Sequence, residues 1–286
     1  MILNFSINDR EYQCNTDDGI SIAIPLIFNQ QQPNHFGAEM ATTTPLTGGD
    51  FIGDTKRGGS CNADSITFVP HCNGTHTETV NHIVHQSVPI GQNLNQSLSL
   101  CRLITIKPIN ASKTQDNYLP ELEKTDEVID LSLLQAQLNQ NELDQIQSLV
   151  IRTLPNDDNK KSITYNSDTQ YPFFTNQAMS WLAQSGIQHL LVDMPSVDKM
   201  YDDGQLSNHH IYWNVDPNSR LLNDNSKTDR TITEMAYIKD SIKDGLYCLN
   251  LQLPAFNLDA APSRPVLFPV TKTHKVDKST LHQKYE

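Results

Sequence analysis

The chain is short of basic residues: 21 Lys and Arg stand against 33 Asp and Glu, a formal net charge of −12. No stripe of Lys and Arg interleaved with aromatics offsets this. That excludes a nucleic-acid partner, because phosphate binding needs clustered cations. Long apolar runs are missing too, and none suffices to span a bilayer, so no membrane partner is expected. Residues Met1 to Arg10 alternate apolar and polar side chains and lack the apolar stretch of a secretion signal. The five cysteines (Cys14, Cys61, Cys72, Cys101, Cys248) are scattered, odd in number and without CxxC spacing. That usage fits reduced thiols in a cytoplasmic protein better than a disulfide framework. Internal repeats and clear linkers are also lacking. The 286 residues therefore read as a single domain, 1–270, with a charged tail, 271–286.

What the chain does have is one dense run of chemistry. His71-Cys72-Asn73-Gly74-Thr75-His76-Thr77-Glu78-Thr79-Val80-Asn81-His82 gathers three imidazoles, a thiol and a carboxylate into twelve residues. Buried, each of these groups needs a partner. In an extended segment His76 and Glu78 share one face, and His71 or Cys72 can reach back across the Asn73-Gly74 turn. Three or four N and O donors converging within about 2.0–2.2 Å suit one divalent cation. A polar loop with a chance cluster of histidines is the plain alternative, and Cys72 alone reads equally as a small buried hydrophobe. Distant residues should complete such a site. His209-His210 is the only other histidine pair, and Glu234 interrupts a strand-like stretch.

Periodicity predicts strands over 4–14 and 20–28 around a turn at Asp17-Asp18-Gly19, and a long loop over 29–62. Further strands are expected at 65–69, 98–109, 150–153, 187–192, 232–238, 247–253 and 266–270. Leucine spacing between Asp130 and Leu149 predicts a helix broken near Asn139 and Asn141. Thr175 reads as the N-cap of a helix that stops at Gly186. A loop is expected over 198–229 and a short helix near Asp240. The class is α/β: a mixed β-sheet or barrel core with flanking helices.

Gly74-Thr75-His76-x-Glu78-x3-His82 resembles the HxGTHxDxPxH signature of the metal-dependent cyclase family, which includes bacterial kynurenine formamidases and isatin hydrolases. Asp193-Met194-Pro195-Ser196-Val197-Asp198, at the end of Tyr171 to Asp198, is similar to the family's D-x-P-S-V-D element. His209-His210 stands where the family has its downstream pair, and Ile232-Thr233-Glu234 resembles its I-L-E element. The closing strand Gly245 to Pro254 and Ala261-Pro262-Ser263-Arg264-Pro265-Val266 continue the likeness, which spans roughly residues 60 to 270.

The resemblance implies a swivelling β/β/α-like fold and a hydrolase for an amide bond, in an arylformamide or a cyclic amide. A metal-generated hydroxide attacks the carbonyl, and His82 serves as general acid/base. It also implies metal ligands at His76, Glu78, His209 and Glu234, with Glu78 able to bridge two ions and His210 as the substitute for His209. The first ligand is either Cys72, by ungapped alignment, or His71, after a one-residue insertion. A thiolate there favours zinc, whereas His71 leaves manganese equally open. One or two ions, a small-molecule substrate and a homodimer complete the expectation. The sequence departs from the family in having Glu78 for Asp, Val80 for Pro and a longer segment from His209 to Glu234. These departures keep open a cyclic imide or lactone substrate, or an impaired member that only binds metal.

Overall fold

The computed structural model describes residues 1–7, 9–93 and 97–273. Among them, eleven strands form one mixed sheet. In chain order these are β1 (Ile2–Ile7), β2 (Arg10–Asn15), β3 (Ile20–Ser21), β4 (His76–Thr79), β5 (Leu98–Ile106), β6 (Ser148–Thr153), β7 (His189–Val192), β8 (Thr231–Glu234), β9 (Gly245–Asn250), β10 (Ala260–Pro262) and β11 (Val266–Thr273). Their spatial order is β1-β2-β11-β9-β5-β6-β7-β8-β4-β10, with β3 also on β11. The helices are α1 (Pro70–Asn73), α2 (Ile90–Asn93), α3 (Leu131–Gln137), α4 (Gln140–Leu143), α5 (Asn176–Gln184) and α6 (Ser207–Trp213). This is the expected mixed α/β class.

Strands β5 to β8 are parallel neighbours and almost wholly buried. β5, β6 and β7 are correspondingly rich in apolar residues on both faces, as parallel strands covered by crossover helices are, whereas β8 is largely polar. Alternate side chains feed separate cores. Leu149, Ile151, Leu190, Val192 and Ile232 pack with the helices on one face, and Val150 and Leu191 pack with Leu249 and Leu267 on the other. The crossovers use local signals legible in the chain. Asn139 caps α4 through a capping box with Glu142. The Thr175 hydroxyl caps α5 by accepting from the Ala178 N–H, and beyond that helix Gly186 takes φ 84°.

At the end of the parallel run, β4 pairs antiparallel with β8, and β10 pairs antiparallel with β4. Ligands of open α/β sheets gather where parallel strands end at their carboxyl ends. Here Glu234 ends β8, directly opposite His76 at the start of β4.

Several expectations change. Residues 29–62 are not one loop: Thr42–Pro45 pairs with Asp64–Thr67, and Thr47–Gly48 with Phe51–Ile52. The first expected strand is a hairpin, β1 with β2, and the second shrinks to β3. Helix α6 lies within the expected 198–229 loop. No helix forms at Asp240; instead the Arg152 guanidinium takes the Lys239 and Ile242 carbonyls at 2.7 and 2.9 Å. Strand β11 continues three residues into the expected tail because Thr271 to Thr273 pair with β2, and residues 274–286 lie outside the described residues. Among the described residues, no helix is long and apolar enough to cross a membrane.

Candidate metal centre

Sheet register assembles the floor of the site. His76 and Glu78 alternate on β4, so both leave the same face, and Glu234 lies across from His76. All three are buried. Residue Thr77, between them, points the other way and bonds Thr233 Oγ1 at 2.7 Å. The chain reaches β4 through α1, a single turn started by Pro70. Of its two ligand candidates, this turn brings His71 to the site: Nδ1 lies 3.2 Å from Glu78 Oε2. After β4 a tight turn returns His82, whose Nδ1 lies 3.7 Å from the same oxygen.

From the other side of the sheet's end, α6 supplies His209. Its Nε2 is 2.9 Å from Glu78 Oε1 and 3.9 Å from Glu234 Oε1. The two oxygens of Glu78 therefore face different histidines. Donor atoms of His71, His76 and Glu78 all lie within 4.8 Å of one another, as do those of Glu78, His82 and His209, and of His71, His82 and Asp259.

Two candidates stay apart. Cys72 is buried but joins none of these groupings among the described residues. Burial, reinforced by the Glu234 charge, pushes its thiol up, away from the thiolate that coordination needs. His210 turns from the site: Nδ1 faces the Val215 carbonyl at 3.4 Å and Nε2 faces Arg220 at 3.2 Å. It lines a separate cavity of about 710 Å³ with Lys227 and Arg230.

Hydrogen bonds around the cluster set which ring nitrogens carry lone pairs inward. His76 donates from Nδ1 to the Gly74 carbonyl at 3.0 Å. His209 donates from Nδ1 to Asp198 Oδ2 at 2.5 Å. Each leaves Nε2 directed at the carboxylates, the arrangement by which outer partners orient metal-binding imidazoles. The Asp198 carboxylate is buried and also accepts from Asn208 N and Tyr118 Oη at 2.7 and 2.8 Å. Its role was not assigned from the sequence, although it closes the Asp193 to Asp198 element. Asp259 was not singled out at all; its Oδ2 lies 2.9 Å from His71 Nε2 and 3.2 Å from His82 Nδ1.

The electrostatics call for positive charge. Burial alone raises the Glu78 carboxyl, but His82, His209 and His71 outweigh it and hold the group well below the usual carboxylate range. Burial opposes protonation of His71, yet Asp259 and Glu78 push it up to about 10. His209 likewise rises well above its ordinary value, because Glu78 and Asp198 overcome its desolvation. Even so, His76 Nε2 and Glu78 Oε2 have no hydrogen-bond partner. Their nearest charged neighbours are His71 Nδ1, 3.2 Å from Glu78 Oε2, and Glu234 Oε2, 3.4 Å from His76 Nε2. Buried orphan atoms of this kind are costly, and here they are lone pairs pointing into a ring of N and O donors. A divalent cation satisfies them, so the residues present fit one.

A family model described as putative cyclase matches residues 20–199. The chain belongs to the putative cyclase family. No match was found among curated proteins. Among solved structures, a potential metal-dependent hydrolase with cyclase activity is 16% identical, with TM-score 0.54 and coverage of 88% of this chain and 98% of its own. An isatin hydrolase bound to the product analogue thioisatinate is 11% identical, with TM-score 0.57 and coverage of 90% and 94%. Isatin hydrolase A from Labrenzia aggregata, bound to benzyl benzoate, is 12% identical, with TM-score 0.52 and coverage of 87% and 93%. At these identities the likeness establishes the cyclase-family fold.

Proposed function

We propose that the chain is a divalent-metal-dependent hydrolase acting on an amide bond of a small molecule, in an arylformamide or a cyclic amide. The observation that carries this reading is the meeting of two buried atoms that make no hydrogen bond, His76 Nε2 and Glu78 Oε2, with His71 and His209 at the end of the parallel strands. His71, His76 and Glu78 would hold one cation. His209, on the other oxygen of Glu78, and Glu234, 3.4 Å from His76 Nε2 and 3.9 Å from His209 Nε2, would complete that site or bind a second ion. A cation held there supplies a water acidified from a pKa of about 15.7 towards 7 and a Lewis acid for the carbonyl. The mixed N and O donor set is open to zinc or manganese.

His82 is the residue placed to move the proton. Its ring is partly exposed at the rim of the site beside His71, 26% and 25% at the side chain, while His76, Glu78, His209 and Glu234 beneath them are buried. Water attack forms a C–O bond and breaks the C–N bond. His82 takes the proton from the water and gives it to the departing nitrogen. The buried floor excludes solvent from the carboxylates and leaves the substrate to enter over His71, His82 and Asp259.

The reading is tested by metal analysis of protein purified without chelators, followed by hydrolysis assays with N-formylkynurenine, isatin and small cyclic imides, with zinc or manganese added. Turnover of at least one amide substrate that disappears on metal removal is expected. His82→Ala should lower kcat by about 10²–10⁴-fold. An absence of metal affinity, or amide turnover that survives complete metal removal, refutes the reading.

A further inference from the structure

Asp259 is the carboxylate of the site to which the proposed chemistry gives no task. Its position is set by the sheet: it directly precedes β10, and its carbonyl accepts from Thr79 N at 3.0 Å. The next residue, Ala260, stands opposite Glu78. One side-chain oxygen, Oδ2, meets two imidazoles, His71 Nε2 at 2.9 Å and His82 Nδ1 at 3.2 Å. Among the described residues these two rings are the hydrogen-bond partners of its side chain.

An ionised carboxylate only accepts hydrogen bonds. The His82 proton therefore sits on Nδ1, and Nε2 keeps the lone pair that proton transfer requires. By the same logic His71 donates from Nε2, and its Nδ1, the nitrogen beside Glu78, is the one that gives up its proton when a cation binds. We propose that Asp259 is a positioning residue that, through a single oxygen, fixes the tautomer and orientation of both His82 and His71. When His82 picks up a proton at Nε2, its Nδ1–H already faces Asp259, which stabilises the imidazolium until the proton passes to the leaving nitrogen. This is the orienting task that the buried carboxylate of a hydrolytic triad performs for its histidine. The alternative is a rim carboxylate that merely balances nearby positive charge.

The catalytic half of this inference rests on the hydrolase reading, so the test has two separate readouts on zinc-loaded protein. In nitrogen–proton correlation spectra of histidine-labelled protein, wild-type His82 should show Nδ1–H with a bare Nε2. Asp259→Asn and Asp259→Ala should shift it towards the Nε2–H form. At saturating zinc, both variants should lower kcat at least tenfold with little change in KM, and by no more than the loss of His82 itself, about 10²–10⁴-fold. In a His82→Ala background Asp259→Asn should cost almost nothing more, because both changes remove one function. An unchanged His82 tautomer in folded variants, or losses that multiply independently, overturns the inference. If no amide substrate is turned over, the spectra still decide the placement of Asp259 while the hydrolase reading fails.

Discussion

Replacing Asp198 with Asn probes how the site holds His209 without changing any candidate ligand. The Asp198 carboxylate accepts four bonds: His209 Nδ1 at 2.5 Å, His209 N at 3.2 Å, Asn208 N at 2.7 Å and Tyr118 Oη at 2.8 Å. Each of its oxygens faces a backbone N–H, so either orientation of an Asn amide sets its NH₂ against a donor. Turned towards His209, the amide forces the ring to accept at Nδ1 and to carry its proton on Nε2, facing Glu78, where a cation needs a lone pair. Turned the other way, it leaves the Asn208 N–H unsatisfied and offers His209 only a neutral acceptor. Losing such an outer partner lowers metal affinity about 10- to 100-fold, or about 1.4–2.8 kcal/mol at 1.4 kcal/mol per tenfold. Zinc titration of the metal-free variant against a competing chromophoric chelator measures this, with circular dichroism to show that it folds. A folded Asp198→Asn protein that binds zinc within twofold of wild type would refute the claim that Asp198 orients a ligand.

The two adjacent candidates at 71 and 72 should behave oppositely. His71→Ala should weaken zinc binding at least tenfold, whereas Cys72→Ala should leave it within about twofold, as measured by the same titration. Metal removal should also be visible in stability: at free metal a hundredfold above Kd, binding contributes about 2.7 kcal/mol. For a chain of this size that is roughly 5–10 °C in Tm, so calorimetry with and without chelator checks it, and coincident transitions contradict it. Far from the site, His189 is buried in β7, bonds Thr231 Oγ1 at 2.9 Å, and is pushed down to about 4 by desolvation. Its folded value lies below its unfolded one, so its contribution is full above about pH 6.5 and is lost as pH falls towards 4, a change of about 3 kcal/mol. Urea unfolding of wild type and His189→Asn across that window should show a slope shallower by about one proton in the variant, and parallel slopes would count against it.

Much of this site is legible in the chain because its core is local. His76 and Glu78 differ by two residues, so strand alternation alone puts them on one face. Choosing His71 over Cys72 needed the helical turn begun at Pro70, which a reading of the segment as extended does not supply. Helix α6 was missed for a physical reason: its N-cap is Leu206, which offers no side-chain cap and adopts φ 45°. Its seven residues are buried nearly all round, so no amphipathic period marks them. Asp259 was missed because 177 residues separate it from His82, and only the pairing of β10 with β4 brings them together. Asp240 illustrates the opposite error. Its neighbourhood looks helical, but Arg152 uses the carbonyls that a helix would need.

The central claim is that the histidines and carboxylates around Glu78 form a cation site. Anomalous diffraction at the zinc edge from crystals of the zinc-loaded protein tests it most directly. The account predicts an anomalous peak bonded to His71, His76 and Glu78 at about 2.0–2.2 Å, with Cys72 uncoordinated. No peak in that cluster at saturating zinc, or an ion held through Cys72 with His71 turned away, would contradict it.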